Sequence, residues 1–374
     1  MGEETGAISA TAARKRLVHL SRKARFDARS TRVRLVGHVA ARSLAPHHVG
    51  AHDPGVSGTS PSPPFPVARH PDVADASSPN VDPPPSPSDP QNFATEPTDV
   101  FVCSYPKSGT TWMQAVLAQI VTNLERASTF AHVSEVSPFF EIDPHWDPDD
   151  ERRLSPTVRA NHARFARRCF NTHLPWSLMP RGGGAAYVYV VRDGRDAARS
   201  FHAHLSSQAS EDGGYDEGWN AFFDEWIDGR IAFGSWFEHL RGWADAPASG
   251  ERVLVVRYED ALADLARTVR RVATFVGVDE PSDEFVRAVA AKCTFDAMRA
   301  DIDRYQPRSV RWIDPSFSFV RKGIVGDHAA TFDDAQARRF DAKARASFGP
   351  RGIQDAPLLA REMRDGARDG ECRV

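Results

Sequence analysis

Beyond residue 98 the chain alternates short apolar runs with longer stretches in which apolar side chains recur every three or four positions. DVFVC, from Asp99 to Cys103, is one such run, and after a loop Thr110 to Leu124 sets Trp112, Val116, Leu117 and Ile120 at helical spacing. Cys169 to Thr172, Ala186 to Val191 and Arg252 to Val256 predict further strands, each followed by a helical stretch such as Arg195 to Leu205 or Ala261 to Val276. A strand apolar on both sides is covered on both sides. The pattern therefore predicts an α/β fold, a single domain over residues 98–374 with a central parallel sheet flanked by helices. No segment repeats at a fixed period.

The first 97 residues read differently. Residues 1–45 carry ten Lys or Arg against three acids, interleaved with Ala, Ser, Leu and Val. This is a solvated basic tail or, as the alternative, a transit peptide; Glu3 and Glu4 weigh against the second. Residues 46–97 are rich in Pro, Ser, Asp, Gly and Ala, with 13 of the 27 prolines between Pro54 and Pro97. Such density removes backbone donors and offers too little apolar surface to offset the entropy of ordering, so a disordered extension is expected, linking tail to domain.

Composition narrows the function classes. With 47 basic and 50 acidic residues in 374, the net charge is -3, so no global field draws nucleic acid, although a local basic pocket for an anion stays open. Cys103, Cys169, Cys293 and Cys372 are far apart and form no CxxC pair, which points to neither a zinc site nor a disulfide framework but to a reducing compartment. No run of about 18 apolar residues occurs, so no membrane-spanning helix is expected. A cytoplasmic location follows, with an organelle as the alternative if the basic segment is a leader.

The strongest chemical signal is SYPKSGTTW, Ser104 to Trp112, at the first strand-to-helix junction. A helix start presents unpaired N–H groups and a positive dipole end, Gly109 allows close backbone approach, and Lys107 adds a point charge: together a P-loop-like cradle for phosphate. The order is not that of an ordinary ATP loop, because Lys107 precedes Gly109 and Pro106 sets the turn. Arg192 follows the third predicted strand and Ser200 lies eight positions later, so a guanidinium and a hydroxyl are offered to an anion. Taken alone, Arg192 would more often be a strand-end partner of Asp193 or Asp196, a preference that the eight-residue spacing and its place after the loop reverse, while Arg195 and Asp196 read as solvated charges. Near the C-terminus Arg321 and Lys322 stand beside Gly323 in FVRKGIVGDH. Of the 14 histidines, His173 differs by ending the run CFNTHLP at a strand tip, where ligands bind in α/β sheets.

These residues resemble the cytosolic-type sulfotransferases, which take 3'-phosphoadenosine 5'-phosphosulfate (PAPS) as donor. The resemblance spans roughly residues 98 to 345. It implies that Lys107, Ser108, Gly109, Thr110, Thr111 and Trp112 hold the 5'-phosphosulfate side, with Lys107 on the leaving phosphate and Trp112 against adenine. It assigns Arg192 and Ser200 to the 3'-phosphate, together with Arg321, Lys322 and Gly323. The family's RKGxxGDW has His328 in place of Trp here. Tyr258 in YED, and Thr294 and Phe295 with Met298 in CTFDAM, match looser adenine-pocket elements, a core role being equally open for Tyr258, Phe295 and Met298. His173 and Pro175 fall on the family's KTHxP, which makes His173 the catalytic base; Asn171 replaces a frequent Lys.

The resemblance implies sulfuryl transfer from PAPS to a hydroxyl or amine of a small-molecule acceptor, with no metal required and no nucleic acid or membrane partner. The acceptor is not legible. Its pocket falls to the loops Thr129 to Arg164, Ser206 to Gly229 and Arg299 to Ser318, where Phe139, Phe140, Trp146 and Phe222, with Trp176, supply an apolar wall or core, and His202 and His204 are pocket candidates. The family's C-terminal dimer motif is not recognisable in HAATFDDAQARRF, so the oligomeric state stays open. Two rivals remain. A small-molecule kinase would use ATP and magnesium with Asp193 as metal ligand, and a non-catalytic scaffold would fit the replacements Asn171 and His328.

Overall fold

The computed structural model describes residues 93–123, 130–141, 154–209, 212–308, 310–314, 316–356 and 358. The basic tail and most of the Pro-rich segment lie outside the described residues, as does Trp146. Four strands, β1 (Asp99–Ser104), β2 (Arg168–Thr172), β3 (Ala186–Val191) and β4 (Arg252–Arg257), form one parallel sheet in the order β2-β1-β3-β4. Every residue of β1 and β3 is buried, which is why these strands read as unbroken apolar runs. Side chains alternate between faces. Phe101, Tyr187 and Tyr189 pack on one side against Trp226, Trp236 and Trp243, and Val102, Val188 and Val190 pack on the other against Val116, Leu117, Val269 and Val272.

The helices are α1 (Thr110–Val121), α2 (Pro156–Phe165), α3 (Gly194–Leu205), α4 (Trp219–Ile227), α5 (Trp236–Ala244), α6 (Tyr258–Ala263), α7 (Leu265–Phe275), α8 (Asp283–Lys292), α9 (Phe295–Ala300) and α10 (Asp334–Phe348). Two boundaries depart from the periodicity. The single helix expected over Ala261 to Val276 is two, because Asp264 leaves helical geometry and its carboxylate accepts the N–H of Arg267, capping a new start. The first helix stops at Val121, where the Thr122 hydroxyl bonds back to the carbonyl of Ala118.

Residues 93–97, assigned by composition to the linker, lie on the body: Phe93 packs edge-on against Phe140 and Phe170 at 5.1 and 5.4 Å. Phe140, Phe222 and Trp176 are core rather than pocket wall. Two of the expected acceptor loops are zipped together, since Ala209 donates to the carbonyl of Arg311 and Ile313 donates to that of Ser207. Loops after β1 and β3 leave the sheet from adjacent strands at the point where strand order reverses. That crevice is where ligands sit in open α/β sheets.

Candidate active site

The segment after β1 makes the turn its sequence demands. Lys107 has φ 64° and Gly109 φ 107°, both left-handed, and a Cβ on Gly109 would come within 2.9 Å of the Tyr258 ring. Glycine is thus required twice over, by conformation and by space. Helix α1 begins with no side-chain cap, leaving its first amides without a partner from the helix. Ser108 is 1% exposed and its Oγ has no partner, while Thr110 is tied to Ser104 through their hydroxyls. The Lys107 ammonium rests 3.8 Å from the centre of the Phe319 ring. Burial, then the charges of Arg321 and Arg192, lower its pKa to about 7. Cations have been gathered here at an electrostatic cost that an anion would relieve.

Arg192 joins the three motifs. Its guanidinium donates to the carbonyl of Lys107 at 3.3 Å and to that of Ile324 at 2.9 Å, and lies 4.3 Å over the Tyr258 ring. One Arg192 nitrogen also approaches Asp196 at 3.6 Å, the ion pair anticipated from spacing, and Nε is buried without a partner. Asp196 corrects the expectation of a solvated charge. It is 1% exposed and accepts from the N–H of Gly326, the N–H of His328 and His328 Nδ1 at 2.8, 3.0 and 2.7 Å. These bonds and Arg192 depress its pKa to about 2, outweighing burial, which pushes the other way and is the largest single influence. His328, standing where the family has Trp, therefore helps to hold the 321–328 loop.

In that loop Arg321 and Lys322 both bond Asp327, and the Arg321 Nε is buried without a partner. Gly323 has φ 65°, and a Cβ there would lie 2.5 Å from the Phe295 ring, so the third motif closes directly on Phe295. Trp112 donates to the carbonyl of Cys293 at 2.7 Å and meets Tyr258 edge-on at 5.4 Å. Met298 is core, and the Thr294 hydroxyl caps α9 by accepting from Ala297. Ser200 is half-buried on α3, two turns beyond Arg192, and Thr111 is half-buried in the first turn of α1.

His173 stands at the C-terminal end of β2. Its Nδ1 donates to the carbonyl of Ser104 at 2.8 Å, at the entry to the phosphate turn, which leaves Nε2 as the lone-pair nitrogen. Phe139 and Phe233 meet the ring edge-on, each at 5.2 Å. Burial is the main cause lowering its pKa to about 4, with Lys107 adding to it and the Ser104 bond opposing, so the imidazole is neutral at pH 7. Of the two other histidines singled out, His204 packs against Phe319 and Trp312, each at 5.5 Å, and so adjoins the ring beneath Lys107. His202 packs instead among Tyr215, Trp219 and Phe222. Asp193, the carboxylate a kinase would assign to magnesium, caps α3 by accepting from Arg195 N–H and pairs with the Arg195 guanidinium.

Sequence reasoning singled out neither Glu141, His239 nor Arg199, and for Asp196 it missed the hold on the 321–328 loop. Arg199 bonds Thr331, and its pKa is lowered by burial and by Arg321. Only Asp196 carried a local signal, its four-residue spacing from Arg192.

A family model described as "Sulfotransferase domain" matches residues 97–351. Sulfotransferase 1C2 of Rattus norvegicus is 33% identical over 270 residues, covering 69% of this chain and 86% of the relative. Sulfotransferase 1A1 of Canis lupus familiaris is 32% identical, with 67% and 84% covered. Among solved structures, retinol dehydratase in a complex with retinol and PAP superposes with a TM-score of 0.58 at 24% identity, covering 70% of this chain and 84% of that one. Mouse sulfotransferase SULT7A1 complexed with PAP gives 0.55 at 22%, covering 72% and 91%. On the matched domain and these relatives, the chain belongs to the sulfotransferase family.

Proposed function

We propose that this chain transfers a sulfuryl group from PAPS to a hydroxyl or amine of a small-molecule acceptor, with His173 as general base and Lys107 supporting the leaving phosphate. One observation carries the reading: the Arg192 guanidinium bonds the phosphate turn at Lys107 and the distal loop at Ile324, so three separated stretches form one cationic site. The residues present suit a doubly phosphorylated nucleotide. Ser108 Oγ, Arg192 Nε and Arg321 Nε are buried polar atoms without partners, gathered around the turn at Gly109. Lys107, Ser108 and the first amides of α1 would hold the 5' side. Arg192, Ser200, Arg321, Lys322 and Gly323 would hold the 3'-phosphate, and Trp112, Tyr258, Thr294 and Phe295 would flank the base. Solved relatives captured with PAP, retinol and androsterone support a nucleotide and a small apolar acceptor.

When bound, the donor supplies an activated sulfuryl group and a phosphate that accumulates charge as it departs. The protein's part is then positional and electrostatic. His173 Nε2 takes the proton of the acceptor hydroxyl, since Nδ1 is committed to Ser104. Protonated Lys107 and the helix-start amides would stabilise the negative charge that develops on that phosphate. The test is radiolabelled PAPS with a panel of phenols, sterols, amines and sugars, run on the parent and His173→Ala. Transfer of label by the parent, lost in the variant with adenosine 3',5'-bisphosphate (PAP) binding intact, is expected. An active His173→Ala would reject the base assignment.

A further inference from the structure

A general base needs one nitrogen protonated and held and the other presented as a lone pair, and the ring is only as well placed as the peptide that carries it. We infer that Glu141 and a Tyr189–His239 relay are positioning residues that grip the peptide of His173 from both sides and so fix the base, an inference resting on the reading of His173 given above.

The N–H of His173 donates to Glu141 Oε1 at 2.6 Å. Glu141 is brought there by main-chain pairing, because Phe140 N–H donates to the carbonyl of Asn171 and Asn171 N–H to that of Pro138, which docks residues 138–140 along β2. On the other side His239 Nε2 lies 3.2 Å from the carbonyl of His173. A carbonyl only accepts, so Nε2 carries the hydrogen and Nδ1 is the lone pair. Tyr189 Oη, 3.0 Å from that Nδ1, must therefore donate to it, and the direction of every bond in the chain is set.

The relay is itself rigid. Tyr189 stacks on Trp243 at 4.6 Å and 12°, and Trp243 Nε1 donates to the next carbonyl, that of Leu174, at 3.2 Å. Both His239 and Trp243 lie on α5, so one helix pins two consecutive peptides beyond β2. With Nδ1 on Ser104, every polar group of His173 except Nε2 is engaged. A hydroxyl on β3, with no contact to reactants, thus completes the bonds of the neighbouring histidine that holds the base's peptide.

Removing that hydroxyl in Tyr189→Phe leaves the stacked ring in place and Nε2–H on the carbonyl of His173, but strips Nδ1 of its partner, so that the His239 ring is held by one bond in place of two. Nitrogen NMR of the full chain labelled at histidine, bound to PAP, tests this without an acceptor, the ring signals being assigned by their loss in His173→Ala and His239→Gln. Protonation of His173 at Nδ1 and His239 at Nε2 is expected in the parent, with the His239 Nδ1 signal moving downfield in Tyr189→Phe as its lone pair loses the hydroxyl while Nε2 keeps its proton. A parent His239 protonated at Nδ1, or a Tyr189→Phe spectrum unchanged, would overturn the relay.

Kinetics with radiolabelled PAPS and an acceptor found by the panel complete the test. Tyr189→Phe, His239→Leu and Glu141→Leu should each lower kcat by about tenfold to a hundredfold while PAP affinity holds within about twofold. Glu141→Gln, which keeps the acceptor oxygen, and His239→Gln, which keeps a donor, should recover most of the rate. Full kcat in folded Tyr189→Phe, or PAP affinity falling in step with kcat, refutes the positioning role. Turnover surviving in His173→Ala would remove the base reading instead, so the two failures are distinct.

Discussion

Lys107 shows what a binding site costs when it is built in advance. A buried ammonium beside Arg321 and Arg192 is held to a pKa of about 7, so in the free protein it is only partly charged near neutrality. An anion at the turn favours the charged form. Binding of PAP must then draw a proton onto Lys107, and affinity must fall as pH rises above about 7, where that proton becomes harder to supply. Titration calorimetry at pH 8 in buffers of different ionisation enthalpy should report net proton uptake by the parent and none by Lys107→Met; equal proton counts would show that the lysine does not titrate on binding. The residues of this turn were legible in the sequence because lysine, glycine and helix start are contiguous there. Glu141 and His239 were not, since their partner is a peptide 32 and 66 positions away.

At the scale of elements, the strands were readable because burial on both faces writes itself as an unbroken apolar run, and each ends within one residue of its expected bound. Helix ends were less so: the Asp264 carboxylate caps a new helix start and the Thr122 hydroxyl turns back onto Ala118 at the end of α1, and periodicity registers neither. Asp196 is the element-level bond that matters most for the site. Sitting on α3, it holds two amides and the His328 ring of the 321–328 loop, and so sets where Arg321 and Lys322 stand. Charge-assisted bonds of this kind contribute about 1.5 to 3 kcal/mol each. Asp196→Asn should thus weaken PAP binding by about tenfold or more while α3 itself survives, because Asn keeps an acceptor oxygen but loses the charge. Unchanged affinity in the folded variant would show that the loop is positioned by other contacts.

For the molecule as a whole, the strand order β2-β1-β3-β4 is what no local pattern contains, and it is this order that brings residues from 104 to 328 to one crevice. The α/β class was legible from alternation alone, whereas the convergence had to be inferred from the resemblance of three motifs. The same order explains the proposed division of labour: β1 leads into the turn at Lys107, β2 ends at His173, the proposed base, and β3 ends at the arginine that joins turn to loop. Among the described residues no helix is long and apolar enough to cross a membrane. The most direct measurement is therefore a calorimetric titration of the full chain with PAP, with no divalent metal added, on the parent and on Arg192→Ala. One-to-one binding by the parent, weakened by about tenfold or more in the variant, is predicted; absence of binding, or equal affinity in both proteins, would contradict the claim that one arginine joins three segments into a single nucleotide site.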